Sequence, residues 1–84
     1  MTISILYFAR YREVLNCDKE ELSLEKNLNT IDDLLKLLSK RGEEWQTTLS
    51  DEKVLVAVNQ TISNRNSVIS DGDEVAFFPP VTGG

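Results

Sequence analysis

Histidine is absent from this chain, and cysteine occurs once, as Cys17. These two shortages exclude disulfide frameworks, zinc sites with imidazole ligands, and serine or cysteine nucleophiles paired with a histidine base. Cys17 sits in Leu15-Asn16-Cys17-Asp18, where acidic neighbours raise a thiol pKa and no base activates it, so it reads as inert rather than reactive. Basic residues are also in deficit: 9 Lys and Arg against 14 Asp and Glu leave a net charge of −5. A negative surface opposes the phosphate neutralisation that nucleic-acid binding needs, and it is repelled by an anionic membrane. It suits a protein partner with a basic docking face. No run of 18 apolar residues exists, and the opening MTISILYFARYRE lacks the basic leader and apolar core of a signal peptide. A cytoplasmic, reduced location is the expectation.

No repeat, linker or low-complexity segment interrupts the chain, and 84 residues suffice for one domain with one modest core. Residues 2–8, TISILYF, alternate as a strand that places Ile3, Ile5 and Tyr7 on one face and Thr2, Ser4, Leu6 and Phe8 on the other. Residues 9–15 suit a short helix, and 20–25, EELSLE, alternate again, with Leu22 and Leu24 together. The clearest helix spans 31–41. Thr30 is its N-cap, Asp32 and Asp33 lie in the first turn, Lys40 and Arg41 in the last, and Gly42 closes it. Ile31, Leu34, Leu35 and Leu38 form a single apolar stripe, which must pack on a sheet. Trp45 and Leu49, four apart, fit a helical turn at the core's edge, with ligand stacking by Trp45 as the alternative.

Residues 54–58, VLVAV, are apolar throughout, as in a strand covered on both faces or central in a sheet, until Asn59-Gln60 breaks it. Ile62 follows in a polar loop, and Asp71-Gly72 marks a turn before the last strand, 74–78. There Val75 and Phe77 face one way, and Glu74, Ala76 and Phe78 the other. The first and last strands therefore each finish with a phenylalanine on the face that begins polar. Two readings are open. Either a loop covers Phe8 and Phe78, or the two strands are neighbours and the rings form an exposed apolar patch of the kind that marks protein interfaces, extended by Ile62.

The chain ends in FFPPVTGG. Pro79 and Pro80 lack amide hydrogens and fix φ, which ends strand pairing and starts the tail in an extended direction. Val81, Thr82, Gly83 and Gly84 then reach about 13 Å at ~3.3 Å per residue. With no Cβ, Gly83-Gly84 fits a channel too narrow for a side chain. The tail is either a frayed end or a working carboxylate. A free carboxylate is a poor electrophile, and conversion to a mixed anhydride with ATP would supply a leaving group. The chain has no GxxxxGK[ST] loop and no GxGxxG, so the activating machinery must be another protein.

The runs ILYFARYRE, VAVNQTIS and SDGDEVAFFPPVTGG, with the overall length, resemble the small subunits of molybdopterin synthase, a family of β-grasp, ubiquitin-like sulfur carriers. The resemblance covers nearly the whole chain. It is most specific from DGDEVAFFPP to the terminal Gly-Gly, while residues 16–53 match mainly in pattern. It implies an α+β, β-grasp fold, a mixed sheet packed against one main helix, over residues 1–80, with 81–84 a flexible tail. It also implies that Gly84 is adenylated by an activating enzyme, converted to a thiocarboxylate with a sulfur donor system, and inserted with Gly83 into the active site of the large synthase subunit. Sulfur then passes to cyclic pyranopterin monophosphate to form the molybdopterin dithiolene. On this resemblance Phe8, Ile62 and Phe78 are the docking surface. Arg12, otherwise a solvated helix charge, lies near it, and Pro79, Pro80, Val81 and Thr82 are held by the partner. No cofactor is bound by this chain, ATP is used by the activating enzyme, and neither nucleic acid nor membrane is a partner. The alternatives are a thiazole-synthesis carrier, a ubiquitin-like modifier joined to lysines, and a binding module with an idle tail.

Overall fold

The first and last strands of the chain pair side by side inside one sheet. The computed structural model describes residues 1–25, 28–50 and 53–80. The elements are β1 (Thr2–Tyr7), α1 (Arg10–Leu15), β2 (Lys19–Ser23), α2 (Ile31–Ser39), α3 (Glu43–Leu49), β3 (Leu55–Val58), β4 (Thr61–Ser63) and β5 (Glu74–Phe78). The strand order is β2-β1-β5-β3-β4. β1 and β5 run parallel, and every other pair is antiparallel.

Alternation along the strands builds the core. Ile3, Ile5 and Tyr7 of β1, Val75 and Phe77 of β5, and Val56 of β3 all point to one face and are buried. Onto them α2 lays Ile31, Leu34, Leu35 and Leu38, and the short helices add Tyr11, Leu15 and Leu49. The start of α2 is fixed by a reciprocal cap. Thr30 Oγ1 accepts the Asp33 N–H at 3.2 Å, and Asp33 Oδ2 accepts the N–H groups of Thr30 and Asn29 at 3.2 and 3.1 Å. Those two amides hold the Asp33 carboxyl below its usual range. The mixed sheet with α2 across one face is the α+β, β-grasp architecture that the resemblance implies. Among the described residues no helix is long and apolar enough to cross a membrane.

Several boundaries differ from the pattern in the sequence. The main helix stops at Ser39 rather than 41, because its last turn tightens: the Lys40 and Arg41 N–H groups reach back three residues, to Leu37 and Leu38 carbonyls. Gly42 does not close α2. It opens α3 as its N-cap, at φ 154° and ψ 177°, a region that side chains rarely enter. The second strand begins at Lys19 and ends at Ser23, where pairing with Thr2 stops, although Leu24 is still buried. The segment around Ile62 is β4 and not a polar loop. Asn59 and Gln60, at φ 50° and 68°, make the two-residue turn that joins β3 to β4, a geometry requiring positive φ at both positions. Asn59 also accepts the Glu74 N–H at 3.0 Å and donates to Asp73 at 2.9 Å, which locks the hairpin to the start of β5.

Arg41 leaves α2 because it has a partner elsewhere. Its guanidinium donates two bonds of 2.8 Å to the Glu20 carboxylate, which also accepts the Tyr7 hydroxyl at 2.8 Å. The guanidinium lies 4.7 Å from the Trp45 ring centre, and Trp45 meets Tyr7 edge to face at 5.6 Å. Trp45 thus braces the core's edge, as its spacing suggests, with its ring occupied by Arg41 and Tyr7. Hydrogen bonds from Arg41 are the main reason that the Glu20 carboxyl titrates below its usual range. Burial, then Glu20, pushes the Tyr7 phenol far above its own.

A carboxylate with a depressed folded-state pKa stabilises the fold above its unfolded pKa, and that contribution is lost as pH falls through the folded value. Glu20→Gln should therefore cost about 1 to 2 kcal/mol near neutral pH, since the site is only partly shielded. The variant should also flatten the acid limb of a pH-stability curve measured by urea unfolding. An unchanged acid limb would remove Glu20 as a source of the acid sensitivity.

Candidate functional site

On the face of the sheet away from α2, register sets side chains in rows across four strands. Tyr7 lies beside Phe77, and Leu55 opposite Phe78, so one row runs Phe8, Phe78, Leu55. The next runs Leu6, Ala76, Ala57, Ile62. Beyond it the row beginning Ser4, Glu74 turns polar. Phe8 and Phe78 stack face to face, with ring centres 4.8 Å apart and planes 8° from parallel. Phe8 and Leu55 are each 39% exposed and Ile62 is 75% exposed. No described loop covers them. The surface is a contiguous apolar patch at the end of β5, where the tail departs.

Parallel pairing of β1 with β5 is what brings Phe8 and Phe78 together, and the β3–β4 hairpin adds Ile62 two strands away. Alternation alone puts Leu6 beside Phe8 and Ala76 beside Phe78 on this outer face, but it assigns no face to Leu55 or Ala57. The signal was present in VLVAV. A strand apolar at every position carries an apolar outer face, but which side Leu55 joins depends on pairing with Phe78. Pro79 and Pro80 follow β5 half-buried. Val81, Thr82, Gly83 and Gly84 lie outside the described residues, as does the expected tail conformation. Arg12 is exposed on α1, and its guanidinium has no hydrogen-bond or ion-pair partner among the described residues. Cys17 points its thiol toward the Lys19 carbonyl and Glu20, at 3.8 and 3.9 Å, and burial, then Glu20, pushes its pKa up. A thiol held protonated is a weak nucleophile.

Directly after Phe8, Ala9 sits at φ 54° and ψ −130°, a conformation that a Cβ penalises. It lets the chain leave β1, turn Phe8 onto Phe78 and enter α1 within one residue. The Phe8 N–H is still held by the Phe77 carbonyl at 3.2 Å, and the Phe8 carbonyl accepts from Tyr11. The backbone is anchored on both sides of the strained residue.

The model of the ThiS family matches residues 5–84. The chain belongs to the ThiS family. It is 42% identical over 82 residues to the molybdopterin synthase sulfur carrier subunit of Escherichia coli, an alignment covering 98% of this chain and 99% of that one. Sulfur carriage for molybdopterin synthase is the function the chain shares with such relatives. Among solved structures, SAMP1 from Haloferax volcanii superposes with a TM-score of 0.81 at 23% identity over 100% of both chains, which speaks for the fold alone. A complex of subunits 1 and 2 of molybdopterin-converting factor from Helicobacter pylori matches over 100% of both chains, at a TM-score of 0.68 and 22% identity.

Relief of the strain at Ala9 gives a direct check on this ThiS-family surface. Ala9→Gly should raise stability by about 1 kcal/mol, the strain removed exceeding the entropy glycine adds to the unfolded chain. That corresponds to an unfolding midpoint about 4 to 8 °C higher in a calorimetric scan. A lower midpoint would show that the turn after Phe8 is not strained.

Proposed function

We propose that this carrier works by arming Gly84 in one partner and discharging it in another. An activating enzyme uses ATP to convert the Gly84 carboxylate to an acyl adenylate, and a sulfur donor system displaces AMP to leave a thiocarboxylate. The loaded tail then enters the active site of the large synthase subunit and passes sulfur to cyclic pyranopterin monophosphate. A dithiolene has two sulfur atoms, so two loaded carriers serve each product. The chain itself binds no cofactor in this scheme, and the reaction belongs in the cytoplasm.

The observation that carries the reading is the apolar face of Phe8, Phe78, Leu55 and Ile62 at the root of the tail. A chain end of Val-Thr-Gly-Gly offers a partner little more than backbone, so affinity must come from the body beside it. Large apolar side chains at the point of exit supply it. Ile62, Pro79, Pro80 and Arg12 extend this surface around the exit, and Val81 and Thr82 are held with Gly83 inside the partner. The net charge of −5 favours encounter with a basic face.

Incubation with the activating enzyme, ATP and a sulfur donor should add the mass of one oxygen-to-sulfur exchange to the C-terminal peptide. Deletion of Gly83-Gly84 should abolish sulfur transfer with the thermal midpoint unchanged. Lysine conjugates in place of a thiocarboxylate would instead make the chain a protein modifier. Phe78→Ala and Leu55→Ala should each weaken binding to the large subunit by roughly 1 to 3 kcal/mol in calorimetric titration. Wild-type affinity in both variants would move the docking surface elsewhere.

A further inference from the structure

Asn59 makes more bonds than its turn requires. It is the first of the two residues with positive φ that join β3 to β4, at φ 50°, and glycine or aspartate would meet that demand as well. Its own N–H donates to the Glu74 carbonyl at 2.7 Å. Its side-chain oxygen accepts the Glu74 N–H at 3.0 Å, and its side-chain nitrogen donates to Asp73 Oδ1 at 2.9 Å. A backbone N–H can only donate and an ionised carboxylate can only accept, so the two partners fix which end of the amide faces each. The other Asp73 oxygen accepts the Ser70 N–H at 2.7 Å, which holds the carboxylate in place. The β3–β4 hairpin is thus clasped, from its turn, to the first residues of β5.

What this clasp steadies is Ile62. β4 has three residues, lies at the edge of the sheet and pairs with β3 alone. Ile62 stands in its middle, 75% exposed, so it adds little to the core. Between it and Leu6 in their row come only Ala57 and Ala76, each with a single methyl group. Interlocking of large side chains, which fixes neighbours against one another in a tightly packed sheet, is therefore weak along this row. The position of Ile62 relative to Phe78 rests instead on backbone, through the pairing of Leu55–Val58 with β5 and the bonds of Asn59.

We propose that Asn59 is a positioning residue for docking on the large synthase subunit: by tying the hairpin turn to Asp73 and Glu74, it holds Ile62 level with Phe78, so that one partner surface meets both at once. The inference rests on the docking surface proposed above. A contact held in place before binding costs little ordering when the complex forms, whereas a hairpin free to twist about β3 would lose that freedom on docking. Asn59 acts here through Ile62 and not by a contact of its own.

Asn59→Gly keeps the positive φ and removes both side-chain bonds. Its affinity for the large subunit, measured by calorimetric titration well below the unfolding midpoint, should fall about three- to tenfold. In an Ile62→Ala background the same substitution should change affinity by less than about twofold, whereas in a Phe78→Ala background its full effect should remain. A merely structural loss would not distinguish the two backgrounds. Asn59→Asp sets two carboxylates against each other and should weaken the complex at least as much. Adding Asp73→Asn to it restores a donor facing an acceptor and should return affinity to within about twofold of wild type. If Asn59→Gly does not fold, Asn59→Asp is compared in the same two backgrounds. Wild-type affinity in Asn59→Gly, an undiminished effect in the Ile62→Ala background, or wild-type affinity in Ile62→Ala itself overturns the proposal. Wild-type affinity in Phe78→Ala and Leu55→Ala alike would strike the docking surface on which it rests.

Discussion

The parallel pairing of β1 with β5 is the constraint from which the rest of the molecule follows. Two parallel strands cannot be joined by a tight turn, so the chain between them must travel. That excursion contains β2, all three helices and the β3–β4 hairpin. Placing the first and last strands side by side at the centre of the sheet puts β5 where the pairing is best supported, with β1 on one flank and β3 on the other. The end of the chain is thus rigid up to Phe78. There Pro79 and Pro80 remove the amides that would continue the ladder. A carrier needs this combination, since a tail delivered into another protein's cavity is useful only if its point of departure is fixed.

The same pairing divides the sheet into two functions through the two-residue period of its strands. Ile3, Ile5, Tyr7, Val75 and Phe77 meet α2 and supply the hydrophobic stabilisation, each fully or almost fully removed from water. The alternate residues face outward and are released from core packing. Phe8 and Phe78 stand there as large rings stacked on each other, each covering part of the other and leaving the remainder exposed. Ala76, 7% exposed on that side, is shielded by larger neighbours and keeps the patch flat. Strain at Ala9 falls beside this patch, whereas the turn at Asn59 and Gln60 lies at the other end of β5, against Asp73 and Glu74.

Much of this was legible in the sequence because it depends on local period. The inward and outward assignment of β1 and β5, the apolar stripe and cap of α2, the turn at Asp71-Gly72 and the break after Pro79 all follow from residues within a few positions of one another. What was not legible depends on contacts distant in sequence. Asn59-Gln60 reads as the end of a strand, and only the return of Thr61–Ser63 onto β3 makes it a hairpin. Gly42 carries the composition of a helix stop. It serves α3 because Arg41 is drawn away to Glu20, 21 residues earlier. Leu55 joins the apolar outer face through its register with Phe78, which no local pattern encodes.

A terminal Gly-Gly is a weak identifier, and the reason is physical. Two residues without side chains present only amides, carbonyls and a carboxylate, which every chain end shares to some degree. On the proposed function, recognition is therefore separated from chemistry, the tail carrying the reactive group and the body the address. The separation also lets successive partners use one tail, provided each reads a surface near its root. One such surface borders Pro79 and Pro80, the apolar face of Phe8, Phe78 and Leu55. Apolar contact supplies affinity to any partner of matching shape, whereas desolvating an unmatched charge penalises the wrong one. On the proposed function, a carrier released by one enzyme before another receives it cannot rely on apolar affinity alone, which would hold it where it was armed.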